Sequence, residues 1–243
     1  MEKDNQKMLI PGAIVLAAVI IGGAVLLRGQ PAGSPSTNKA EQAQIVGSQN
    51  ASQLESIRPI DNQDHILGNP SAPVKIVEFS DTECPFCKRF HMTMQQIMQE
   101  YGRDGKVMWV YRHFPLEQLH SRAPHEAEAT ECAAELGGND GFWRYMDRLF
   151  VVTPSNNGLD PEELLRIAEF VGISRENFKD CLQSGKFKNR VARDYQDAVA
   201  SGGQGTPYTI VIASDGTKYP IVGALPYEQI KSVIDTALNK SAR

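Results

Sequence analysis

The residues with the clearest chemical potential form a C-x-x-C motif, Cys84-Pro85-Phe86-Cys87. The motif lies where a β-rich run gives way to a helical pattern, so we expect Cys84 at an exposed helix amino terminus and Cys87 one turn further along. Free backbone N–H groups and the positive end of the helix dipole favour a thiolate at the first position. A thiolate is the attacking species in disulfide exchange, and a stabilised one is a good leaving group. The motif therefore predicts a redox pair in which Cys84 attacks and Cys87 resolves.

Neighbouring charges give a mixed signal, because Glu83 opposes a lowered pKa at Cys84 whereas Lys88 and Arg89 favour it. We therefore expect a lowered pKa at Cys84 but assign it no value.

A metal site is the alternative interpretation of the motif. A C-x-x-C pair can be half of a zinc site, but the other two cysteines, Cys132 and Cys181, are single and do not form a second pair. Soft ligands that would suit Cu(I) follow the motif, namely His91, Met92, Met94 and Met98. Two of these methionines lie near an apolar stripe, which favours core packing. We predict no metal, with a copper carrier left as an alternative.

The elements around the motif follow the order strand, helix, strand. Residues 74–79 are apolar on both alternating faces, as in a strand that is buried on two sides. A helix is predicted from Pro85. Its apolar stripe, which faces a core, consists of Phe86, Phe90, Met94, Ile97 and Tyr101. Gly102 and Gly105 end this helix, and residues 106–111 form a second strand. This order is a βαβ unit.

Residues from about 116 to 202 are predicted to be almost entirely helical, with one helix start at Asp160-Pro161. Strands over 208–212 and 218–222, joined by a turn at Asp215-Gly216, then form a β-hairpin, and residues 225–238 form a last helix. The whole order indicates an α/β fold whose sheet layer is interrupted by a helical insert.

The amino-terminal part has a different character. Residues 8–27 carry no charge, and 20 residues of helix reach about 30 Å, the thickness of a bilayer's hydrocarbon core. We predict a short tail over 1–7, an uncleaved transmembrane anchor over 8–28 and a flexible linker over 29–56, which leaves 57–243 as the folded domain. A cleaved signal peptide is the alternative for the apolar run.

Composition sets broad limits. Apolar residues make up 41% of the 243-residue chain, which excludes a wholly disordered protein. The net charge of −4 shows no basic excess and gives no support to a nucleic-acid binder. Four cysteines are too few for a disulfide-stapled miniprotein. The five histidines show no metal-ligand spacing and are expected at the surface or as caps.

The stretch DHILGNPSAPVKIVEFSDTECPFCKRFH resembles the DsbA-like thiol–disulfide oxidoreductases, and the likeness continues through YRHFPL, GFWRYMDRLF and GTPYTIVI. It covers about residues 60 to 240. The resemblance implies a thioredoxin-like fold with an inserted all-helical domain. It also implies a cis bond between Thr206 and Pro207, in a loop that faces the cysteines and offers backbone polar groups to a bound peptide.

The resemblance gives further residues a role. Glu78 corresponds to a family acid that assists proton movement at the buried cysteine; a solvated Glu at the strand end is the alternative. Pro85 and Phe86, between the cysteines, tune the redox potential. Phe86 stands where the best-known oxidising members have histidine, which leaves the direction of electron transfer open. Tyr208 is bulkier than usual after the proline, so a narrowed peptide groove is expected.

The resemblance also bears on the two single cysteines. Related sequences carry cysteines in similar places, and some are bridged there, which implies a structural disulfide between Cys132 and Cys181. Two free buried thiols are the alternative.

Together these features predict a protein-disulfide oxidoreductase of a bacterial or archaeal cell envelope. We expect a single-pass membrane protein with its soluble domain outside the cytoplasm, no cofactor beyond the cysteine pair, and no nucleic-acid partner. Its partners would be exported proteins with cysteine thiols and a membrane or small-molecule redox partner. A reductase or isomerase using the same site, or a copper chaperone, is the alternative.

Overall fold

A computed structural model describes residues 51–241, in which five strands form one mixed sheet. The strands are β1 (His65–Gly68), β2 (Val74–Ser80), β3 (Val107–His113), β4 (Tyr208–Ile212) and β5 (Lys218–Val222). Their spatial order is β1-β3-β2-β4-β5. The pair β2–β3 is parallel and the other pairs are antiparallel. The predicted strands are confirmed, and β1 is an additional edge strand that the sequence pattern did not indicate.

Strand β2 lies in the middle of the sheet and separates two cores, because its alternate side chains point to opposite faces. Ile76 packs on one face with helix residues such as Phe90, and Val77 packs on the other with Phe79. The two-sided burial predicted from its composition is confirmed.

Helix α2 (Pro85–Ile97) begins directly after the loop that leaves β2. Pro85 occupies its first turn, where the missing N–H has no partner to lose. The helix continues as a π-helical turn over Met98–Gly102 and ends there, close to the predicted end. Four of the five predicted stripe residues are buried, namely Phe90, Met94, Ile97 and Tyr101.

The helical region between β3 and β4 contains α3 (Ala123–Val152), α4 (Pro161–Phe170), α5 (Arg175–Ser184) and α6 (Lys188–Ala200). Asp160 caps α4 by accepting a hydrogen bond from the Glu162 N–H, as the sequence predicts. Helix α3 is kinked at Gly138, where φ is 68°, a conformation that glycine adopts without steric cost. This layer has a core of its own, and Cys132 of α3 is bridged to Cys181 of α5 within it, with an S–S distance of 2.04 Å.

The ends of the described region correct one boundary. Helix α7 (Tyr227–Ser241) packs on the β2–β4 part of the sheet, near the predicted place. At the other end, residues 51–56 were predicted to belong to the linker, but α1 (Ala51–Leu54) is helical and Leu54 packs against the core. The predicted boundary at residue 56 is too late because Leu54, an apolar residue in a mostly polar tract, packs against the core.

The predicted tail, the transmembrane anchor at 8–28 and the linker up to residue 50 lie outside the described residues. Within residues 51–241, no helix combines the length and the apolar character that a membrane crossing requires.

The Cys132–Cys181 bridge closes a loop with a sequence separation of 49. In the chain-entropy treatment, a crosslink of this span stabilises the folded protein by roughly 4 kcal/mol. We therefore expect the C132A/C181A variant to unfold at lower urea concentration than the wild type, with a free energy of unfolding lower by about 3–4 kcal/mol. The C84A/C87A variant is the matched control, because it also replaces two cysteines by alanine but leaves the Cys132–Cys181 bridge in place. Equal loss of stability in both variants would contradict the predicted role of the bridge.

Candidate active site

Cys84 occupies the N-cap position of helix α2 with an extended backbone, and Cys87 lies one turn further in. The backbone N–H of Cys84 donates to the Asp81 carbonyl at 3.2 Å, which forms the turn between β2 and the helix. The sequence therefore placed both cysteines correctly on the helix. Both are free thiols in this structure.

The environment lowers the pKa of the Cys84 thiol to about 6. The largest contribution is a hydrogen bond with Cys87, followed by the Thr206 side chain and the backbone N–H groups of Cys87 and Phe86, which together outweigh the opposing effect of burial. These are donors that stabilise a thiolate at a helix amino terminus. Cys84 thus has the more acidic thiol of the pair.

Cys87 has the opposite character. Burial raises its pKa well above the ordinary value, and the nearby Cys84 and Glu78 raise it further. The backbone N–H of Asp81 points at its sulfur at 3.4 Å. Cys87 therefore keeps its proton while Cys84 carries the charge.

Glu78 lies on β2 beneath Cys87 and is fully buried. Burial raises the pKa of its carboxyl to about 7, although the Ser80 hydroxyl and the Trp109 indole lower it. The indole N–H donates to Oε2 at 2.9 Å. Of the two predicted environments, the buried one is found. The sequence did not single out either partner: Ser80 lies two residues further along β2, on the same face as Glu78, and Trp109 is brought close by the β2–β3 pairing.

The loop before β4 completes the site. The Thr206–Pro207 bond is cis, and the Thr206 carbonyl accepts a hydrogen bond from the Cys84 Sγ at 3.6 Å. The expectation that Tyr208 narrows a peptide groove is wrong. Tyr208 is buried, and its hydroxyl donates to the Ser201 carbonyl. The residue after the proline already belongs to β4, and its side chain packs in the core with Phe79.

Two further expectations at the motif need correction. Phe86 was counted in the core-facing stripe, but it is 53% exposed, because the buried face of α2 runs through Cys87, Phe90 and Met94 and leaves Phe86 outside it. Arg89 covers the Phe86 ring at 5.1 Å. Cys84 was expected to be exposed, yet it is only 4% exposed because the Thr206 loop covers it.

Four of the five histidines are buried, contrary to the expected surface or capping positions, and each contacts a carboxylate. His91 contacts Asp147, His120 contacts Asp81, and both His65 and His113 contact Glu131 at 2.9 Å. These partners are 18 to 66 residues away in sequence, which explains why spacing along the chain did not reveal them.

Within residues 51–241, the acid and histidine group that most resembles a metal site is His113, Glu131 and Asp194. The Nε of Arg190 lies 3.5 Å from Glu131 and 3.6 Å from Asp194, so the guanidinium of Arg190 already neutralises these carboxylates. Met94 of α2 and Met98 of the π-helical turn that follows it are buried in the core.

The chain is similar to known proteins over most of its described residues. The sequence model described as thioredoxin matches residues 61–236. The sodium/proton antiporter NhaA 1 of Mycolicibacterium gilvum is 37% identical over 161 residues, which are 65% of this chain and 25% of that protein. The chain thus spans about a quarter of the length of this relative.

Two solved structures share the fold. The α-DsbA1 of Wolbachia pipientis is 24% identical with a TM-score of 0.66, covering 79% of this chain and 98% of that one. A thioredoxin-like oxidoreductase from Silicibacter pomeroyi is 25% identical with a TM-score of 0.61, covering 78% and 98%. The resemblance to DsbA-like proteins is therefore confirmed in the arrangement of sheet and inserted helices.

The raised pKa of Glu78 predicts a pH-dependent cost in stability. Above its ordinary pKa of 4.5 the unfolded chain releases this proton while the folded protein retains it up to about pH 7. The cost therefore grows between these two values and then stays constant. We expect the reduced E78Q variant to match the wild type below pH 4 and to exceed it by about 3 kcal/mol at pH 8.

Urea unfolding of both proteins across this pH range measures the difference. The surface variant E117Q is the control, since Glu117 is exposed. Parallel pH profiles for wild type and E78Q would contradict the raised pKa.

Proposed function

This chain belongs to the thioredoxin family, and from that premise we propose that it is a thiol–disulfide oxidoreductase that forms disulfides in exported proteins. The observation that carries the proposal is the contrast between the two sulfurs of one helical turn. Cys84 has a pKa of about 6, and Cys87 has a pKa raised well above the ordinary value. Such a pair favours charge on the sulfur that exchanges with substrate.

In the oxidising direction, a substrate thiolate attacks Cys84 Sγ of the Cys84–Cys87 disulfide. The S–S bond breaks, a mixed disulfide forms, and Cys87 leaves as a thiolate. A second substrate thiolate attacks the substrate sulfur of the mixed disulfide and releases Cys84 as a thiolate. The substrate loses two electrons and the enzyme pair gains them. The low pKa of Cys84 makes it the better leaving group in the second step.

Glu78 supplies the proton for the first step. Its carboxyl raises the pKa of the Cys87 thiol, and its own pKa of about 7 lets it hold or release a proton near neutrality. The leaving Cys87 thiolate takes this proton, and Glu78 is reprotonated before the next cycle. The Thr206 carbonyl next to Cys84 supports the role of this loop in contacting the backbone of a bound substrate.

The proposal extends to where the protein works. The anchor predicted at 8–28 and the Cys132–Cys181 bridge support a single-pass membrane protein with its redox domain outside the cytoplasm, where disulfides persist. Its partners are exported proteins with cysteine thiols and a membrane or small-molecule oxidant. The cysteine pair is the redox group, and the mechanism uses no metal or organic cofactor.

We propose no ion transport for this chain. The antiporter name belongs to a protein of which the matched region is 25%, and the chemistry-bearing residues described above are those of a redox site.

The second candidate direction uses the same residues in reverse: Cys84 attacks a substrate disulfide, and Cys87 resolves the mixed disulfide as a reductase or isomerase. Phe86 between the cysteines is the observation that keeps this candidate, since it provides no hydrogen-bond donor or charge near Cys84. A copper chaperone is less favoured, because Met94 and Met98 are in the core and His91 contacts Asp147.

The equilibrium with glutathione separates the two directions. A stabilised Cys84 thiolate stabilises the reduced pair, so we expect a reduction potential for the domain clearly above the approximately −270 mV of thioredoxin. The C87S variant should accumulate a mixed disulfide with a reduced unfolded substrate under oxidising conditions, and C84S should not. A potential at or below the thioredoxin value would reverse the assigned direction. Tight stoichiometric Cu(I) binding without exchange would favour the chaperone.

Labelling in intact cells tests the proposed location. Cells that express the C132A/C181A variant are first reduced and then treated with a thiol reagent that does not cross membranes. We expect labelling of the active-site cysteine without permeabilisation and recovery of the protein in the membrane fraction. A cysteine introduced at the exposed position Glu117 is the accessibility control. Labelling of both only after the membrane is permeabilised would overturn the proposed location.

A further inference from the structure

Two buried acids, one directly before the redox motif and one on helix α3, take no part in the mechanism above. Glu83 precedes Cys84 in the chain and is fully buried, and Glu126 of helix α3 is 2% exposed. The carboxyl of Glu126 faces that of Glu83 and the hydroxyl of Thr82. Two carboxylates in contact inside a protein cannot both carry charge without a large cost.

Within the described residues, the hydrogen bonds around the pair leave two carboxylate oxygens without a partner. Glu83 Oε2 accepts a hydrogen bond from the backbone N–H of Asn157. Within the described part of the chain, Glu83 Oε1 and Glu126 Oε2 are both buried and have no hydrogen-bond partner. One proton on Glu126, directed at Glu83, would satisfy both oxygens and leave a single negative charge.

The charges around the pair favour that proton. Burial is the largest cause of a rise in the pKa of Glu126 to about 9, and the contact with Glu83 and the charge of Asp81 add to it. From the far half of α3, Tyr145 faces Glu126 with a neutral phenol, whose own pKa is raised by burial and by Glu126. The guanidinium of Arg122, four residues before Glu126, donates to the Leu159 carbonyl instead.

Glu83 also holds a strained loop of the helical region. Ser155, Asn156 and Asn157 all have left-handed backbone conformations, with φ of 65°, 54° and 63°. Consecutive left-handed residues other than glycine cost free energy and persist only where contacts fix them. Here the Asn156 N–H donates to the Glu83 carbonyl at 2.8 Å, and the Asn157 N–H donates to the Glu83 carboxylate. The loop is therefore fastened to the residue that precedes the nucleophile.

We propose that Glu126 is a positioning residue for Cys84: a proton shared between Glu126 and Glu83 keeps Glu83 in place, and Glu83 fastens the 155–157 loop to the turn that begins helix α2. This inference rests on the proposed function only in taking Cys84 as the nucleophile. Loss of the shared proton puts two charges in one buried site, which drives Glu83 away from the loop and loosens the helix end that stabilises the Cys84 thiolate.

The test measures the rate at which iodoacetamide alkylates Cys84 between pH 5 and pH 10. It is performed in the C87S background, so that the second active-site thiol does not contribute. We expect the C87S rate to rise as Cys84 ionises and to rise a second time near pH 9, where Glu126 ionises, because a less stabilised thiolate has a higher pKa and is more nucleophilic. The C87S/E126Q protein should show the first change only, because glutamine donates to Glu83 at every pH.

A second variant separates positioning from folding. E126A removes the donor and should raise the pKa of Cys84, so its alkylation at pH 5, below that pKa, should be about fivefold slower than that of E126Q, the factor set by one hydrogen bond. If E126A does not fold, the comparison of E126Q with its parent still decides. A change near pH 9 that persists in E126Q, or equal rates for E126A and E126Q, would overturn the proposal.

The proton itself can be observed by infrared spectroscopy at pH 8, where Glu78 is largely ionised. We expect a carbonyl band of a protonated carboxylic acid that is absent in E126Q. Absence of the band from the wild type would exclude the shared proton. Neither measurement uses a protein substrate, so a chain that fails to exchange disulfides would refute the proposed function while leaving this result readable.

Discussion

The structure around the cysteines depends on the hydrogen bonds of one residue, Asp81. Its backbone N–H and carbonyl contact Cys87 and Cys84, which sets the turn from β2 into α2. Its side chain accepts from the Glu83 N–H at 2.8 Å and from the Leu116 N–H at 2.7 Å. These bonds join the redox motif to the segment that leaves β3, and the contact with His120 at 2.9 Å extends them towards the helical region. A small movement of Asp81 would therefore displace both sulfurs.

A second group of buried charges fixes the sheet on the side away from α2. Arg112 of β3 is fully buried and contacts Asp64 at 2.8 Å and Asp197 of α6 at 2.6 Å. Arg112 holds the pKa of Asp64 down to about 2 against the opposing effect of burial. Such networks contribute little net stability, but removing one partner leaves a buried charge and is strongly destabilising. Their effect here is to fix α6, and hence the chain that leads to the Thr206 loop, against β3, which pairs with the strand that leads into the cysteine motif.

The sequence was sufficient for local structure and for the residues of the motif. The period-two pattern of β2, the stripe from Phe90 and the turn residues of the hairpin each follow from short-range patterns. It was not sufficient where a side chain's environment comes from distant residues. The burial of His113 against Glu131, and the contact of Glu83 with Glu126, depend on how the helical region packs on the sheet. Tyr208 and Phe86 were misplaced for the same reason, because apolar character alone does not tell which end of an element is covered.

The charge environment explains how the thiolate is stabilised. Lys88 and Arg89 were expected to assist Cys84, but Lys88 donates to the Thr153 carbonyl at 2.5 Å and Arg89 covers Phe86. Three of the buried side chains around the turn, Asp81, Glu83 and Glu126, are acids. The low pKa of Cys84 therefore rests on neutral donors: the Cys87 thiol, Thr206 and backbone N–H groups. Donors act only at short range and in correct orientation, so stabilisation by hydrogen bonds requires a rigid helix end in a way that stabilisation by a cation does not. A shared proton between Glu83 and Glu126 meets this requirement, because it fastens the turn from which the donors point. It also removes one negative charge from the surroundings of the thiolate.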